Sequence, residues 1–482
     1  MAHHYKTYCP DQGYLFPPSP LDWLPSDSLA YQVFDILSEL DFSPLHASYS
    51  RDGRGAPAFA PEMLFSIYLY AMYKGVFSSR GIKRLCIEDL GARYLSGGSI
   101  PDHRSINQFK LRHGDALKPL FVQSVHLCQE AGMVSLVHNV TDGTKIPGRA
   151  SKSSNMKYSR IVDEEAQVSA EVDKLLQHGL DTDAAEDAQL GPDDDGFSLP
   201  EHLNSRQKRR DALRAAKAAM EAEAKSKEIA RKEEWDTTKP SERPHRKKPD
   251  PENATPSADD RYNFVDPESR MMKARGRYIQ GYNAQASVDS ANQVIVACDV
   301  SNACNDYEQL ITVVDQSIEN TGKKPEKVLA DAGYFSDKNI GELDHRNLTA
   351  LIPPDNAWQR DKTNTELLCP EDVAKLTPKQ REHYLVTTEE GRAEYAYRMK
   401  TVEPVFGQIK GNPGHPGFLH FLRCGRERCQ QDWNFACMAH NIRKLMRFRA
   451  KQESKKQETT ITKATRRPKQ ANIGQNLVLL GG

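Results

Sequence analysis

The sequence predicts a mixed α+β (α/β) chain: an all-α N-terminal part, then a five-stranded mixed sheet flanked by helices and interrupted by a charged helical or disordered insertion. Three observations predict it. Apolar residues recur at helical spacing through residues 61–128, as in Leu64, Ile67, Tyr68, Ala71 and Met72. Short β-rich runs follow at residues 135–142, 279–289, 293–300, 327–331 and 348–352, the later ones separated by helical patterns. Between the first two runs, residues 151–260 turn acidic and then lysine- and alanine-rich, with few core positions.

Composition narrows the class. At 482 residues the chain is too long for one compact core, and 38% hydrophobic residues with a mean hydropathy of −0.69 describe a soluble chain carrying weakly packed segments. No apolar run approaches the roughly 18 residues of a membrane span, and no secretory leader opens at Met1, so a cytoplasmic location is expected. Nine cysteines, spread from Cys9 to Cys437 without a C-x-x-C, argue against a disulfide framework. Cys424 and Cys429 with His420 and His440 match no structural zinc spacing, so buried thiols are expected. The formal net charge is zero, yet residues 161–200 carry twelve acids against one lysine, and residues 398–482 carry seventeen Lys/Arg against five acids. A basic C-terminal segment can neutralise phosphates whatever the total says.

Taken in order, residues 1–50 read as a proline-rich irregular arm leading into a short helix around residues 29–40. Residues 51–133 form a helical candidate DNA-binding domain. Ser79 caps its second helix and Asp102 its third, which turns Ile106 and Phe109 inward and Arg104, Ser105, Gln108, Lys110 and Arg112 outward. This is either a helix-turn-helix or a plain bundle. Residues 134–150 and 261–448 form the core. Its first strand stops on Asp142, followed by Gly143. The insertion, 151–260, is expected to lack a core of its own, with residues of about 165–200 mobile, and 449–482 to be a basic flexible tail.

The strands from residue 279 read as a hairpin followed by helix, strand, helix, strand, a parallel run starting from the second half of the hairpin. Should the Asp142 strand pair with the hairpin and lie beside the strand ending on Asp331, the two aspartates become neighbours. A helix is then expected to start at residues 401–404, with Thr401 as N-cap and Pro404 in the first turn. Glu403 and Lys410, seven positions apart, leave the same face, as an ion pair or as a metal ligand beside a phosphate chain. Asp289, Asp299 and Glu394 are competing acids. Tyr334, Phe335, Trp433, Phe435, His440 and Asn441 read as packing residues, the last two bonded to backbone.

Three hard carboxylates, Asp142, Asp331 and Glu403, without nearby histidine or thiolate, select Mg²⁺ or Mn²⁺. Two such ions suit in-line phosphoryl displacement on a nucleic acid. The order Asp142-Gly143-Thr144, Asp331-Ala332-Gly333-Tyr334 and Tyr395-x2-Arg398-x4-Glu403-x6-Lys410 resembles the bacterial insertion-sequence transposases of the DDE class, in the subgroup with a long helical insertion after the first aspartate. The resemblance runs over residues 61–444 and includes Gly281-Tyr282-Asn283-Ala284-Gln285. It implies an RNase H-like core, Asp142, Asp331 and Glu403 as catalytic metal ligands, and Tyr395, Arg398 and Lys410 as holders of a DNA end. The family spacing leaves three residues between arginine and glutamate; here there are four, so Lys400 is a second candidate for the arginine's part. The implied activity is Mg²⁺-dependent DNA strand cleavage and strand transfer at transposon ends into target DNA, by a homodimer or higher assembly on DNA. A non-catalytic DNA-binding relative using the 102–112 helix and a nuclease without strand transfer are the alternatives.

Overall fold

The computed structural model describes residues 19–47, 49, 57–190, 201–237, 248–274, 276–363, 367–412 and 415–465. Its organising strand is β1 (His138–Pro147), which pairs antiparallel with β5 (Arg277–Asp289) on one side and parallel with β7 (Lys327–Leu329) on the other. β6 (Ile295–Ser301) completes the hairpin with β5, and β8 (Thr349–Leu351) lies parallel to β7. These are the five expected strands. A sixth, β4 (Arg270–Ala274), pairs with the start of β5 and was not foreseen, because Arg270 and Lys273 break its apolar pattern. The result is a mixed sheet between helices, consistent with an RNase H-like core.

The expected parallel run of β6, β7 and β8 is present, with β5 and β1 lying between β6 and β7 as the pairing of the Asp142 strand with the hairpin requires, and the Leu310–Thr321 helix spans that distance. One sequence expectation changes here: β1 does not stop at Asp142. Its β5 partner continues to Gly281 opposite Pro147, so the aspartate sits mid-strand. Gly281 is required there, since a Cβ would run into the Ile146 carbonyl of β1.

The N-terminal helices follow their caps. Ser28 caps Leu29–Leu37, Ser78 rather than Ser79 caps Ser79–Glu88, and Asp102 caps His103–Arg112, each accepting from a backbone N–H of the first turn. Their apolar faces do not close on themselves. They pack on the Arg426–Thr465 helix, where Phe65 and Tyr68 meet the Phe435 ring at 5.5 and 4.6 Å and the Tyr73 hydroxyl donates to Ala439 O. The other flank of that helix is bonded to the sheet. Trp433 Nε1 donates to Gln285 O, His440 Nε2 to Gln293 O, and the Asn441 amide exchanges hydrogen bonds with Ile295 N and O. One hydrophobic core therefore runs from residue 24 through the sheet to Met446. The helix also continues to Thr465, so the expected tail is helical well past residue 449; residues 466–482 lie outside the described residues.

The insertion is two helices, Tyr158–Leu190 and Glu201–Thr237, standing on a small ladder of β2 (Asn155–Lys157) and β3 (Arg261–Asn263). Contrary to expectation it has a core of its own: Ile161, Val168 and Val172 meet Leu213, Ala216 and Met220. Arg209 and Arg214 bind Glu164 and Glu165 across the pair. Residues 165–190, expected to be mobile, are thus helical; 191–200 lie outside the described residues.

Candidate active site

Strand register brings the first two acids together. Val140 pairs with Leu329 in the parallel β1–β7 ladder, so two residues further along each chain Asp142 and Asp331 stand level. Beyond Leu329 the chain turns: Asp331 caps the short Ala332–Tyr334 turn, its Oδ1 accepting from Gly333 N at 2.9 Å. The other oxygen, Oδ2, is left to the guanidinium of Arg398.

The third acid comes from the Tyr397–Lys410 helix, which begins four residues before Thr401. Pro404 is therefore interior to the helix, not in its first turn, and its missing N–H leaves the Lys400 carbonyl without its helical donor. The side chain of Gln293 fills that place, with Nε2 donating to Lys400 O at 2.8 Å. Tertiary structure thus tolerates a residue that locally reads as a helix start.

Arg398 joins all three acids. Its Nη2 donates to Asp142 Oδ2 at 2.9 Å and to Asp331 Oδ2 at 3.4 Å, and Nη1 lies 3.9 Å from Glu403 Oε1. Its side chain is 13% exposed and its Nε is buried without a hydrogen-bond partner. Arg398, expected to hold a DNA end, bridges the three acids in this structure. Asp142 is deeply buried, which pushes its carboxyl up to about 7 against the pull of Arg398, with Asp331 and Asp306 adding to the rise. Glu403 remains half exposed.

The remaining candidates divide. Lys410 reaches the core face, donating to the Thr144 hydroxyl on β1, while Lys400 is exposed. Tyr395, expected to hold a DNA end, is buried, its hydroxyl donating to Ala330 O and its ring edge-on to Trp358, so it supports the Asp331 turn. Glu394, a competing acid, is paired with Lys327. Asp289 is a structural acid that accepts from the backbone of Ser135, Leu136 and Ala291. In the N-terminal helices Arg104 and Arg112 are exposed beside a cleft of about 390 Å³ that Tyr49 and Phe59 also line. Lys110 is corrected: it turns inward over the Tyr68 ring at 4.0 Å, and burial lowers its ammonium to about 8.

A polar network behind the acids was not anticipated. Asp306 accepts from Lys145 Nζ at 2.8 Å, Asn283 Nδ2 at 2.6 Å and Gln285 Nε2 at 2.8 Å, and Gln285 in turn accepts from the buried Tyr334 hydroxyl. A Cβ at Gly143 would lie 2.6 Å from Asp306 Oδ1, which explains that glycine. The run of polar residues at alternate positions of β5, Asn283, Gln285, Ser287 and Asp289, was the available signal. Among the described residues no group of three His, Cys, Asp or Glu side chains is gathered to hold a metal ion, and the Arg398 guanidinium lies between Asp142 and Asp331. The donor set itself, three carboxylates converging on one cation, fits a hard divalent ion.

Two family models match the chain. The Transposase DDE domain covers residues 241–442, and the Transposase domain (DUF772) covers residues 19–112. The chain belongs to the insertion-sequence transposases of the DDE class. No curated protein and no solved structure matches it. The transposase is thus a DNA-acting enzyme, and no helix among the described residues is long and apolar enough to cross a membrane. The DDE-domain match contains Asp331, Arg398 and Glu403 but starts after Asp142. In this transposase it is strand register that sets Asp142, which lies outside that match, beside Asp331.

Proposed function

We propose that this transposase binds the ends of its insertion sequence and performs strand cleavage and strand transfer by in-line phosphoryl transfer, with Asp142, Asp331 and Glu403 as the catalytic acids. The observation that carries the reading is the convergence of these acids, 189 and 72 positions apart in sequence, on the single guanidinium of Arg398. Once Arg398 moves aside, the three carboxylates would hold two Mg²⁺ or Mn²⁺ ions. When bound, such ions polarise the attacked phosphodiester and stabilise charge on the attacking and leaving oxygens. The chain's own part is positional. The β1–β7 register fixes Asp142 against Asp331, the Gln293 brace fixes the helix that carries Glu403, and Lys410 and the exposed Lys400 offer cations to flanking phosphates. Arg398, freed from the acids, is a third such cation.

We assign the exposed Arg104 and Arg112 to DNA contact, place the enzyme in the cytoplasm, and expect a dimer or larger assembly across two ends and a target. The test is incubation of the protein with labelled element ends, Mg²⁺ and a plasmid. Joined product supports transposition, cut product alone a nuclease, and a shifted band alone a non-catalytic DNA-binding protein. Glu403→Gln should keep the shift and lower cleavage by orders of magnitude; undiminished cleavage would remove Glu403 from the site.

A further inference from the structure

A second cluster of cations lies away from the acids, where the end of the Tyr397–Lys410 helix meets the N-terminal helices and the Arg426–Thr465 helix. There a cleft of about 370 Å³ is lined by Tyr73, Gln408, Ile409, Arg443 and Arg447 among others. Arg443 and Arg447 are four positions apart on one helix and so share a face. Arg443 is seated: its guanidinium lies 4.6 Å from the centroid of the Tyr73 ring, and that ring is fixed by its hydroxyl bond to Ala439 O.

Neither arginine has a carboxylate among the described residues. Among the described residues no ion pair and no hydrogen bond is made by Arg443 or Arg447, although Arg443 is more than half buried. Burial and the neighbouring Arg447 both disfavour its charge, and only the Tyr73 ring faces it favourably. Lys444, on the adjoining face, is also surrounded by cations, with Arg447 and Lys451 nearby, and its ammonium donates to the neutral Gln293 Oε1 at 2.6 Å. On the same helix Arg449, by contrast, is paired with Glu39. A partly desolvated guanidinium with no carboxylate partner among the described residues, beside a second one on a cleft, is an arrangement completed by an anion.

We propose that the Arg443–Arg447 cleft is a phosphodiester-binding site that seats the DNA backbone outside the catalytic centre. This rests on the reading of the chain as DNA-binding. Gln408, which borders the cleft, is five residues from Glu403 on one helix, roughly 7.5 Å along its axis. Phosphates recur about every 3.4 Å along a strand, so a strand held at the acids carries further phosphates past this flank. The fork geometry of arginine suits phosphate oxygens, and the Gln408 amide adds a neutral donor.

The experiment measures the affinity of the full chain for a 30-base-pair duplex in EDTA across a series of NaCl concentrations. Wild type is compared with Arg443→Gln, Arg447→Gln and the double variant. Each phosphate no longer neutralised lowers the slope of log K against log[NaCl] by about 0.9, so the double variant should fall by about 1 to 2. An unchanged slope in the double variant, with wild type binding normally, overturns the site. Should Arg443→Gln disturb folding through Tyr73, Arg447→Gln alone must still lower the slope, with its melting temperature unchanged. A wild-type chain that binds no duplex overturns the DNA-binding reading and this site with it. Inorganic phosphate that raises the melting temperature of wild type but not of the double variant, with unaltered DNA slopes, would assign the cleft to a free anion and overturn the DNA assignment.

Discussion

Arg398 is within 4 Å of three carboxylates, so the acids are held together by a protein cation whose place a divalent ion would take. Above about pH 7, where Asp142 is ionised, Arg398→Gln should leave them repelling one another. Removing one partner of a largely buried ion pair costs on the order of 3 kcal/mol. The variant should therefore melt earlier than wild type without divalent ion and gain more from added Mn²⁺; equal gains in the two proteins would show that Arg398 does not compete with metal. Asp142 gives a second prediction. Its carboxyl, raised from 3.8 to about 7, keeps its proton in the folded chain where the unfolded chain has lost it. Metal-free stability should then fall as pH rises from about 4 to 7, because the folded state binds the extra proton. Asp142→Asn should flatten this dependence, as read by denaturant titrations across that range. In sequence, the identity of these acids was legible from their motifs. The bridging role of Arg398 was not, because a guanidinium beside an acid motif reads equally well as a phosphate ligand.

At the scale of elements, the helix carrying Glu403 shows why local reading failed by four residues. Thr401 and Pro404 have the chemistry of a helix start, yet the helix begins at Tyr397, and a side chain more than a hundred positions away, Gln293, meets the carbonyl that Pro404 leaves without a donor. Gln293→Leu strips the Lys400 carbonyl of its donor and should cost about 1–2 kcal/mol. Adding Pro404→Ala restores an N–H for that carbonyl and should recover most of the deficit. Chemical denaturation of the two single variants and the double checks this; additive deficits would mean that Gln293 acts through Lys444 or Gln408 instead. The β1 strand was misjudged for a similar reason, since its length is set by β5 and not by the Asp-Gly pair. In the insertion, the apolar positions Ile161, Val168 and Val172 are too sparse to announce a core until the second helix supplies Leu213, Ala216 and Met220.

For the whole molecule, the central fact is that the N-terminal helices share their core with the sheet through the Arg426–Thr465 helix. A fragment of residues 1–133 would expose Phe65 and Tyr68, which Phe435 covers. It should show no cooperative thermal transition, whereas the full chain should. Independent cooperative melting of the fragment would mean that this interface is dispensable. The periodicity of residues 61–128 made the helices legible, but an amphipathic face looks the same whether it meets its own bundle or another part of the chain.

The ladder between β2 and β3 bears on the route by which such a chain reaches its folded state. β1 leaves the ribosome long before β5, and Asn139 must find Asp289 across 150 positions. The intervening helices can pair first, because their contacts are local, and Lys157 then meets Arg261. With that clasp shut, the path from Asn139 to Asp289 shortens to about 46 residues, which lowers the closure cost by about 1 kcal/mol. The excursion that separates Asp142 from the other two acids in sequence thereby becomes a kinetic shortcut. Cutting the ladder should slow refolding while leaving the unfolding rate nearly unchanged.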